Sequence, residues 1–546
     1  MTEQNQITNY WKSYFPFSNV RDAQSRIIDQ VLEGFQKNGK KYAIIEAGTG
    51  IGKSAIGLTL AQYLNANLIN SSEDFANGSY FLTTQRILQD QYENDFFAKG
   101  LISLYSSSNY KCQRKKGNAC SDTQAEIKAG DTQNDKCKFD CVYKDKKKSF
   151  IEGQLGVTNF SYFLTEINYS KKLPKKKIMI IDEAHNLENE LTKFIEISVT
   201  TFFAERILKL APPKIEDLNT QLRVFNWIEN TYFPALKSRK EFMEKQIENM
   251  GLGGKLQDHL TLLKQVDMMK SHYSKIQKFL NVYDKENWIC ETEETEKLGY
   301  IKFNFKPIDI SQYAKEYLLD YADKIIFMSA TIVSAEGYME TLGLNPQDVV
   351  IVREASPFNP QHKPTVFSPI GSMSANNIDA TLPNLVKAIK SLMEEHKNQK
   401  GIIHTHSVKV AKYIKDNVKS GRLLLAHGQD RDKMLQQHST SDKPTILLSP
   451  SMSEGVDLKD DLSRFQIICK IPFPYLGDKV VRKKMNKWKW WYDTQTIRTI
   501  IQSVGRSIRN ENDHATTYIL DSDWERVYFK NKALFPTDFH ESYFKI

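Results

Sequence analysis

Cysteine and long apolar runs are both scarce in this chain of 546 residues. Six cysteines are too few for a disulfide framework in a protein of this length. No stretch approaches the roughly 18 apolar residues that a membrane-spanning helix needs, so we expect no membrane partner. The first residues show no basic region followed by an apolar run, so no signal peptide is expected. Together these absences predict a protein of the cytoplasm.

The composition, in contrast, provides ample material for packed cores. Hydrophobic residues make up 40% of the sequence, which excludes a mainly disordered chain. At roughly 100–200 residues per domain, the length predicts about three or four domains. The formal net charge of +9 is compatible with a polyanionic partner but does not require one.

Short apolar runs that end in polar or glycine-rich turns recur along the chain. Runs of this length, with helical patterns between them, are typical of buried parallel strands. Alternation of such strands with helices predicts an α/β architecture. The predicted strands form an early and a late set: Tyr42–Ile45, Ile178–Ile181, Lys324–Met328, Gly401–Thr405, Thr445–Leu448, Phe465–Cys469 and Thr517–Leu520.

Two segments interrupt this alternation. Residues 103–150 are rich in cysteine and lysine and have little apolar periodicity, whereas residues 200–300 look helical and highly charged. Both are predicted to be insertions into the first α/β domain, because the strand before Met328 resumes the earlier pattern. A linker is predicted near residues 355–375, where Pro357, Pro360 and Pro364 cluster.

The most specific motif is a glycine-rich loop, Glu46-Ala-Gly-Thr-Gly-Ile-Gly-Lys-Ser54. It follows a predicted strand and precedes a helical pattern, which is the arrangement of a phosphate cradle at a helix N-terminus. Lys53 is expected to reach the β- and γ-phosphates of a nucleotide, and the Ser54 hydroxyl to ligate Mg²⁺. The strict pattern has glycine at position 47, where this chain has alanine.

A second motif, Asp182-Glu183-Ala184-His185, directly follows another predicted strand. The carboxyl ends of parallel strands are where a doubly wound sheet carries its ligand chemistry. Asp182 is therefore expected to hold Mg²⁺, directly or through water. Glu183 is expected to orient or deprotonate the attacking water.

A third motif, Gln502-Ser-Val-Gly-Arg-Ser-Ile-Arg509, carries two arginines three residues apart. Arg506 and Arg509 therefore share one face of a predicted helix. Two guanidiniums on one face suit the negative charge of a transferring γ-phosphoryl group. Such a pair alone is usually a solvated helix face, and the two upstream motifs are what favour the catalytic interpretation.

Four of the six cysteines lie in the first interrupting segment: Cys112, Cys120, Cys137 and Cys141. Four thiolates are able to hold either a [4Fe–4S] cluster or a tetrahedral zinc ion, and their spacing leaves the metal undecided. The other two cysteines, Cys290 and Cys469, lie between apolar residues and are predicted to be core residues.

Two basic stretches are candidates for contacts with a nucleic acid. Residues 105–148 carry a net charge of +5, which suits either phosphate contacts or a solvated loop. Residues 479–491 interleave lysines with tryptophans, which are able to stack on bases. In a helical pattern the same tryptophans would instead be buried, and we favour the buried interpretation for Trp488 and Trp491.

The order and spacing of these motifs resemble the XPD/DinG family of superfamily 2 iron–sulfur DNA helicases. The resemblance extends from about Tyr14 to Trp524. It includes a pair that reads adenine in the family, Arg21 with Gln24, and the sequences that flank the cysteines. Further matching pieces are Thr83-Thr84 with Leu88 and Gln91, Met328-Ser-Ala-Thr331, Ser356-Pro-Phe358, and Ser453-Glu-Gly-Val-Asp457.

The resemblance implies an α/β fold with two RecA-like parallel-sheet motor domains and ATP bound between them. It also implies an iron–sulfur module and a helical arch inserted in the first motor domain. Motor domain 1 would comprise residues 1–102, 151–199 and 301–358. The iron–sulfur module would be 103–150, the helical arch 200–300, and motor domain 2 residues 359–546. One departure is Val142, which stands where the family usually has proline.

The resemblance also implies roles for individual residues. The four cysteines of the first interrupting segment would ligate a [4Fe–4S] cluster, and Ser54 with Asp182 would hold Mg²⁺. The implied catalytic residues are Lys53, Asp182, Glu183, Gln502, Arg506 and Arg509. The implied nucleotide-binding residues are Arg21, Gln24, Gly48, Thr49, Gly50, Gly52, Lys53, Ser54, Gly455 and Asp457.

The implied activity is ATP-dependent translocation from 5′ to 3′ on single-stranded DNA, with unwinding of duplex and forked DNA. The expected form is a monomer in the cytoplasm of a bacterial or phage-infected cell. One alternative is an RNA helicase, against which the cysteine segment and Ser356-Pro-Phe358 argue. The other is a non-unwinding, nucleotide-switched DNA-binding protein, against which the intact second and third motifs argue.

Overall fold

The computed structural model describes residues 10–67, 73–113, 119–120, 141–213, 220–250, 256–295, 299–451, 458, 460–505, 508 and 513–546. Its strands, in chain order, are β1 Tyr42–Ala47, β2 Ala76–Thr83, β3 Leu101–Ser103, β4 Leu155–Asn159, β5 Lys176–Ile181, β6 Ile197–Thr200, β7 Trp288–Glu294, β8 Ile301–Pro307, β9 Ala322–Ser329, β10 Val349–Glu354, β11 Thr365–Gly371, β12 Gly401–His404, β13 Leu423–Leu425, β14 Ile446–Ser449, β15 Phe465–Ile468, β16 Thr516–Asp521 and β17 Tyr543–Lys545.

The α-helices lie mostly between these strands. In chain order they are α1 Asp22–Gln36, α2 Lys53–Asn67, α3 Arg86–Phe96, α4 Val142–Glu152, α5 Phe160–Thr165, α6 Leu187–Ile195, α7 Thr201–Phe203, α8 Thr220–Trp227, α9 Phe233–Met250, α10 Leu256–Val282, α11 Ser311–Tyr317, α12 Ala335–Leu342, α13 Ile378–Glu395, α14 Val408–Val418, α15 Arg431–Thr440, α16 Lys479–Lys487, α17 Trp491–Val504, α18 Asp523–Lys530 and α19 Thr537–Ser542.

Two seven-stranded parallel sheets form the two halves of the chain. The first has the order β10-β1-β9-β5-β2-β4-β3, and the second has the order β13-β14-β12-β15-β16-β11-β17. All seven predicted strands are confirmed. They were predictable because strands that are covered on both faces have continuous apolar sequences. The predicted class, α/β with two RecA-like parallel-sheet domains, is therefore also confirmed.

The two interrupting segments are insertions into the first sheet, as predicted. The cysteine-rich segment lies between β3 and β4, and the charged segment lies between β5 and β9. Strand β9 then returns to the middle of the first sheet, between β1 and β5. The first sheet is therefore assembled from pieces that are far apart in the sequence.

The charged insertion is not only helical, which corrects the sequence-based expectation. Its long helices α9 and α10 are accompanied by a three-stranded antiparallel sheet of order β6-β8-β7. Strand β8 buries Phe303 and Phe305, which alternate with lysines and an asparagine. This period of two is typical of a strand that is covered on one face. The predicted linker near 355–375 is also shorter than expected, because β11 occupies 365–371.

Separate hydrophobic cores cover the two parallel sheets. Two clusters of buried side chains lie on the faces of the first sheet, and the larger one continues into the helical insertion. Three further clusters cover the second sheet. Cys290 and Cys469 are buried, as predicted. None of the helices in the described part of the chain has the length and apolar character that a membrane crossing requires.

Candidate functional site

The glycine-rich loop joins the end of β1 to the start of α2. Gly50 and Gly52 have φ angles of +84° and +87°, which is the left-handed region that glycine enters at little cost. A Cβ added to Gly48 would lie 2.6 Å from the backbone nitrogen of Ser356, and one added to Gly50 would collide with the ring of Phe358. The loop therefore needs glycine both for its conformation and for the close approach of the chain around 356–358.

The predicted phosphate-binding lysine lies inside this loop. Its Nζ donates to the carbonyl oxygen of Ala47 at 3.1 Å and to that of Gly48 at 3.5 Å. Lys53 is also the first residue of α2, so the N–H groups of this helix end point toward the same loop. The arrangement concentrates positive charge and free donors where an anionic group would bind.

Arg21 and Gln24, at the start of α1, donate hydrogen bonds to the glycine-rich loop. The Gln24 side-chain amide donates to the carbonyl of Ile51 at 2.8 Å, and the Arg21 guanidinium donates to that of Gly50 at 2.6 Å. The backbone N–H of Arg21 donates in turn to Gln24 Oε1 at 2.9 Å. The two residues that the resemblance assigns to adenine therefore contact the phosphate loop directly.

The acidic pair lies at the carboxyl end of β5, next to the start of α2. The Tyr92 hydroxyl donates to Asp182 Oδ2 at 2.9 Å and also interacts with the Ser54 hydroxyl. Ser54 and Asp182, the predicted ligands of Mg²⁺, are thus close to the same phenol oxygen. Burial, reinforced by Asp182, raises the pKa of Tyr92 well above its usual range, so this hydroxyl remains a donor at neutral pH.

The second motif contacts the third motif across the space between the two sheets. Nε2 of Gln502, in α17, donates to His185 Nε2 at 2.8 Å and to Thr331 Oγ1 at 3.3 Å. With its Nε2 accepting, His185 carries its proton on Nδ1, which lies 2.8 Å from Ser329 Oγ and 3.4 Å from Glu183 Oε2. Gln502 is therefore hydrogen-bonded to residues of the first half of the chain, although it belongs to the second half.

A cavity of about 780 Å³ lies at this junction, within the size range of ligand-binding clefts. Side chains from both sheets line it, among them those of Glu46, Thr49, Glu183, His185, Arg353 and Gln502. Thr84, Leu88 and Gln91, which matched the family sequence, line the same cavity. Arg506 and Arg509 of the third motif, and Gly455 and Asp457, lie outside the described residues.

Residues 356–358 close one side of the cavity. Ser356 Oγ donates to the carbonyl of Thr49 at 3.1 Å, and the buried ring of Phe358 lies against Gly50. Phe358 also packs with Ile508 of the second half of the chain. This segment therefore contacts both the phosphate loop and the second half of the chain.

Two of the four predicted metal-ligating cysteines are adjacent. Sγ of Cys120 and Sγ of Cys141 are 3.9 Å apart, and Cys120 is buried. Cys141 immediately precedes α4, and the backbone N–H of Cys120 donates to the carbonyl of Tyr110 at 2.8 Å. Cys112 is described and partly exposed, whereas Cys137 lies outside the described residues. Among the described residues, no group of three or more His, Cys, Asp or Glu side chains forms a metal site.

The basic stretch 479–491 forms contacts between the two halves of the chain. Trp488 and Trp491 are buried, which confirms the core interpretation. Lys484 is buried in an ion pair with Glu188 of α6, and Lys487 pairs with Asp309. These two lysines therefore neutralise carboxylates of the first half instead of presenting charge to a strand.

Sequence reasoning missed several residues that complete the site. Tyr92 lies one residue after Gln91, which the resemblance included, but nothing local predicts its contact with Asp182. Glu46 was part of the quoted loop motif but received no role, although it accepts a hydrogen bond from Val333 at 2.6 Å. Only the fold brings such distant parts of the chain together.

Two family models and several known proteins are similar to this chain. A model described as a helicase C-terminal domain matches residues 389–538, and one described as a type III restriction enzyme, res subunit, matches residues 17–215. The ATP-dependent DNA helicase CHL1 of Candida albicans is 22% identical over 66% of this chain and 54% of its own length. The chain thus matches about half the length of that relative.

Two other similar proteins match over nearly their whole length. The ATP-dependent DNA helicase YoaA of Escherichia coli is 20% identical over 93% of this chain and 92% of its own. A solved XPD helicase has a TM-score of 0.64 and 16% identity, covering 97% of this chain and all of that one. The motifs in their order, the cleft between two parallel sheets and these relatives agree. In its motifs, its fold and its relatives, the chain fits the XPD/DinG family of superfamily 2 helicases.

Proposed function

We propose that this protein is an ATP-dependent DNA helicase that translocates from 5′ to 3′ on single-stranded DNA and unwinds duplex. The observation that carries the proposal is the contact of Gln502 with both His185 and Thr331. Residues that would act on one nucleotide are thereby supplied by both halves of the chain. Hydrolysis at such a cleft changes how the halves contact each other, which is what a translocating motor requires.

The residues of the cleft divide the chemistry of ATP hydrolysis among them. Lys53 neutralises the β- and γ-phosphates, and the N–H groups at the start of α2 bind the phosphate oxygens. Glu183, partly exposed in the cavity, orients the attacking water and accepts its proton. Mg²⁺, held by Ser54 and Asp182, would supply charge neutralisation to the phosphates when bound.

The remaining assignments rest on sequence and family. We propose that Arg506 and Arg509 stabilise the transferring phosphoryl group, and that Gly455 and Asp457 bind nucleotide. We propose that the cysteine module comprises 103–150 and that motor domain 2 begins at 359, and we extend the helical insertion beyond 200–300 so that it includes β6 and β8 of its antiparallel sheet. We further propose that the protein acts as a monomer on single-stranded and forked DNA, in the cytoplasm of a bacterial or phage-infected cell.

We propose that Cys112, Cys120, Cys137 and Cys141 hold a [4Fe–4S] cluster. Two of these thiols are adjacent and one is buried, which suits a shared metal group. Zinc is the second candidate, favoured by the 3.9 Å between the two sulfurs. Two thiolates on one tetrahedral Zn²⁺, at 2.3 Å each, are about 3.8 Å apart. Metal analysis of purified protein distinguishes the two.

Strand displacement on tailed duplexes tests the proposed function. DNA and RNA duplexes of one sequence would each be prepared with a 5′ or a 3′ single-stranded tail. The expected result is ATP-dependent unwinding of 5′-tailed DNA alone. Unwinding of 3′-tailed DNA would contradict the polarity, and preferential unwinding of RNA would favour the alternative substrate. Hydrolysis of ATP without any unwinding would contradict the helicase activity.

A further inference from the structure

The cavity between the two halves of the chain is wider than the glycine-rich loop that lines it. On the side of the first half, its lining residues come from the carboxyl ends of five neighbouring strands, in the order β10-β1-β9-β5-β2. Neighbouring strands lie about 4.8 Å apart, so the four spacings between these ends make about 19 Å. The glycine-rich loop follows β1, which leaves the end of β10 on one side of the loop and the end of β5 on the other.

This order of strands determines which way a bound nucleoside triphosphate would point. Asp182 and Glu183 directly follow β5, so Mg²⁺ and the attacking water would lie on the β5 side of the glycine-rich loop. The water attacks the γ-phosphate, which would therefore point toward β5. The nucleoside is at the opposite end of the molecule, so it would lie over the end of β10.

Both halves of the chain contribute to the part of the cavity over β10. Arg353 and Glu354 end β10 and line the cavity, and Arg26 of α1 forms an ion pair with Glu354. The chain then passes the glycine-rich loop, where the ring of Phe358 lies against Gly50. A few residues later it reaches Lys363, which lines the same cavity at the start of the second half.

Lys363 forms an ion pair with Asp538, and both residues line the cavity. Their side chains are only 16% and 13% exposed. Lys363 lies just before β11 and Asp538 lies in α19, just before β17, and these two strands are neighbours in the second sheet. Phe535 and Phe539, on either side of Asp538 in the sequence, are buried in a core cluster of the second half. The core therefore holds the backbone of Asp538 in a fixed position at the cavity.

An ion pair at this place suits the sugar of a nucleotide better than its phosphates. An unpaired carboxylate would repel the negatively charged triphosphate, and the ammonium group of Lys363 offsets that repulsion. A carboxylate has about four acceptor sites, so Asp538 is able to accept further hydrogen bonds while it is paired with the lysine. The hydroxyl groups of ribose are neutral donors, and carboxylates bind ribose hydroxyls in this way in other nucleotide sites.

We propose that Asp538 accepts hydrogen bonds from the ribose hydroxyls of the bound nucleotide, and that Lys363 is the positioning residue that orients and neutralises its carboxylate. The cleft thereby selects ribonucleoside triphosphates over their deoxy analogues. The reason is that a site built to bind a hydroxyl group discriminates strongly against the analogue that lacks it. This inference rests on the proposed function and adds to it the choice of sugar.

Substitutions at the two positions test the proposal without touching a phosphate or water contact. Asp538→Ala removes the acceptor but leaves Lys363 without its partner, which is a destabilising change for a largely buried pair. The double variant Asp538→Leu with Lys363→Met removes both charges at similar volume and protects the test against a failure to fold. Lys363→Met removes the positioning group, whereas Lys363→Arg keeps a cation there. The control is Glu525→Gln, which changes an exposed ion pair with Lys545 in the same C-terminal part of the chain.

The first measurement is kcat/KM for ATP divided by kcat/KM for 2′-deoxyATP and for 3′-deoxyATP. We expect the wild type to prefer ATP over at least one deoxy analogue by about tenfold or more, the ordinary effect of losing a hydrogen bond to a charged group. This preference should disappear in Asp538→Ala and in the double variant, and fall in Lys363→Met. Lys363→Arg and Glu525→Gln should keep it. A merely structural role would lower hydrolysis of all three nucleotides together and leave the ratios unchanged.

The second measurement does not depend on hydrolysis. The same three nucleotides would compete with a fluorescent ATP analogue for the protein, and the ratio of their Kd values should follow the ratio of their kcat/KM values. Equal Kd values for ATP and both deoxy analogues in the wild type would overturn the inference, as would a full preference for ATP in the double variant. A wild-type protein that binds these nucleotides but hydrolyses none of them would instead overturn the proposed function, and the Kd ratios would still decide the choice of sugar.

Discussion

Lys53 and Glu183 are the residues at which the proposed chemistry is most directly tested. We expect Lys53→Ala to lose phosphate neutralisation and Glu183→Gln to bind ATP but to turn it over slowly. Removing one charge contact of this kind commonly lowers the rate by roughly 10²-fold. Steady-state ATP hydrolysis with single-stranded DNA present measures the effect, and equilibrium binding of a fluorescent ATP analogue separates binding from turnover.

Lys37→Ala is a matched control for these two variants. Lys37 follows α1, and its side chain forms a 3.6 Å ion pair with that of Glu33, in which both side chains are exposed. Such surface pairs contribute little, so its hydrolysis rate should be that of the wild type. Turnover near the wild-type rate in Lys53→Ala or Glu183→Gln would contradict the assignment of the site.

Tyr92 offers a prediction about the Mg²⁺ requirement. Its hydroxyl fixes the orientation of Asp182, and loss of such a supporting contact commonly weakens metal binding about tenfold. We therefore expect Tyr92→Phe to need about tenfold more Mg²⁺ for half-maximal hydrolysis, with the rate recovering at high Mg²⁺. Tyr80→Phe is the control, because that buried hydroxyl donates to the carbonyl of Pro174 instead. An unchanged Mg²⁺ dependence in Tyr92→Phe would show that this contact does not support the ligand.

The sequence predicted individual site residues where they lie together in one short motif. Predicted strands precede Lys53 with Ser54 and Asp182 with Glu183. Because the carboxyl ends of parallel strands lie at the same edge of a sheet, these four residues were expected to lie close together. The contact of Gln502 with His185 joins residues 317 positions apart. No local pattern encodes that contact, because it depends on how two separately folded sheets pack.

Among the helices, α16 gives the sharpest test of how the halves are joined. Its Lys484 side chain is 6% exposed and pairs with Glu188, which is 11% exposed. Breaking such a pair leaves a buried charge without its partner and typically costs about 3–5 kcal/mol. We expect Lys484→Met to lower the midpoint of thermal unfolding clearly, while DNA affinity stays near that of the wild type.

Two further variants make this prediction specific. Lys483→Met removes an exposed lysine of the same helix and should leave the unfolding midpoint unchanged. The double variant Lys484→Met with Glu188→Leu removes both charges and should recover most of the lost stability. A large loss of DNA affinity in Lys484→Met, with normal stability, would instead assign this lysine to the strand path.

Strands were predictable from the sequence in proportion to their burial and apolar character. The seven predicted runs have four or five residues, whereas β2 begins with Ala-Asn-Gly-Ser and its apolar run has only the three residues Tyr80–Leu82. Strand β8 escaped prediction because its alternating pattern lies after a long charged segment that dominates the composition. The parallel order of the strands followed from general rules of α/β folds, but which pieces would be adjacent was known only from the structure.

Within the whole molecule, the proposed ATP hydrolysis and the proposed strand separation occur at different sites, the cleft and the cysteine segment. The cleft combines residues of both parallel sheets, whereas the cysteine segment is inserted between two strands of the first sheet alone. Loss of the cysteine segment's structure should therefore leave the cleft intact. Strand separation needs a rigid element beside the duplex junction, and we assign that role to this basic segment.

The last prediction concerns that segment. Thiolate ligation supplies folding energy to a stretch too polar to be held by a core of its own. We expect anaerobically purified protein to contain about four iron atoms per chain and to be brown. Cys120→Ser should lose iron and unwinding but keep most DNA-stimulated hydrolysis of ATP, and Cys137→Ser should do the same. Cys290→Ala, at a buried cysteine of β7, is the control and should retain both iron and unwinding. Stoichiometric zinc without iron would contradict the cluster, and normal unwinding by Cys120→Ser would contradict the mechanical role.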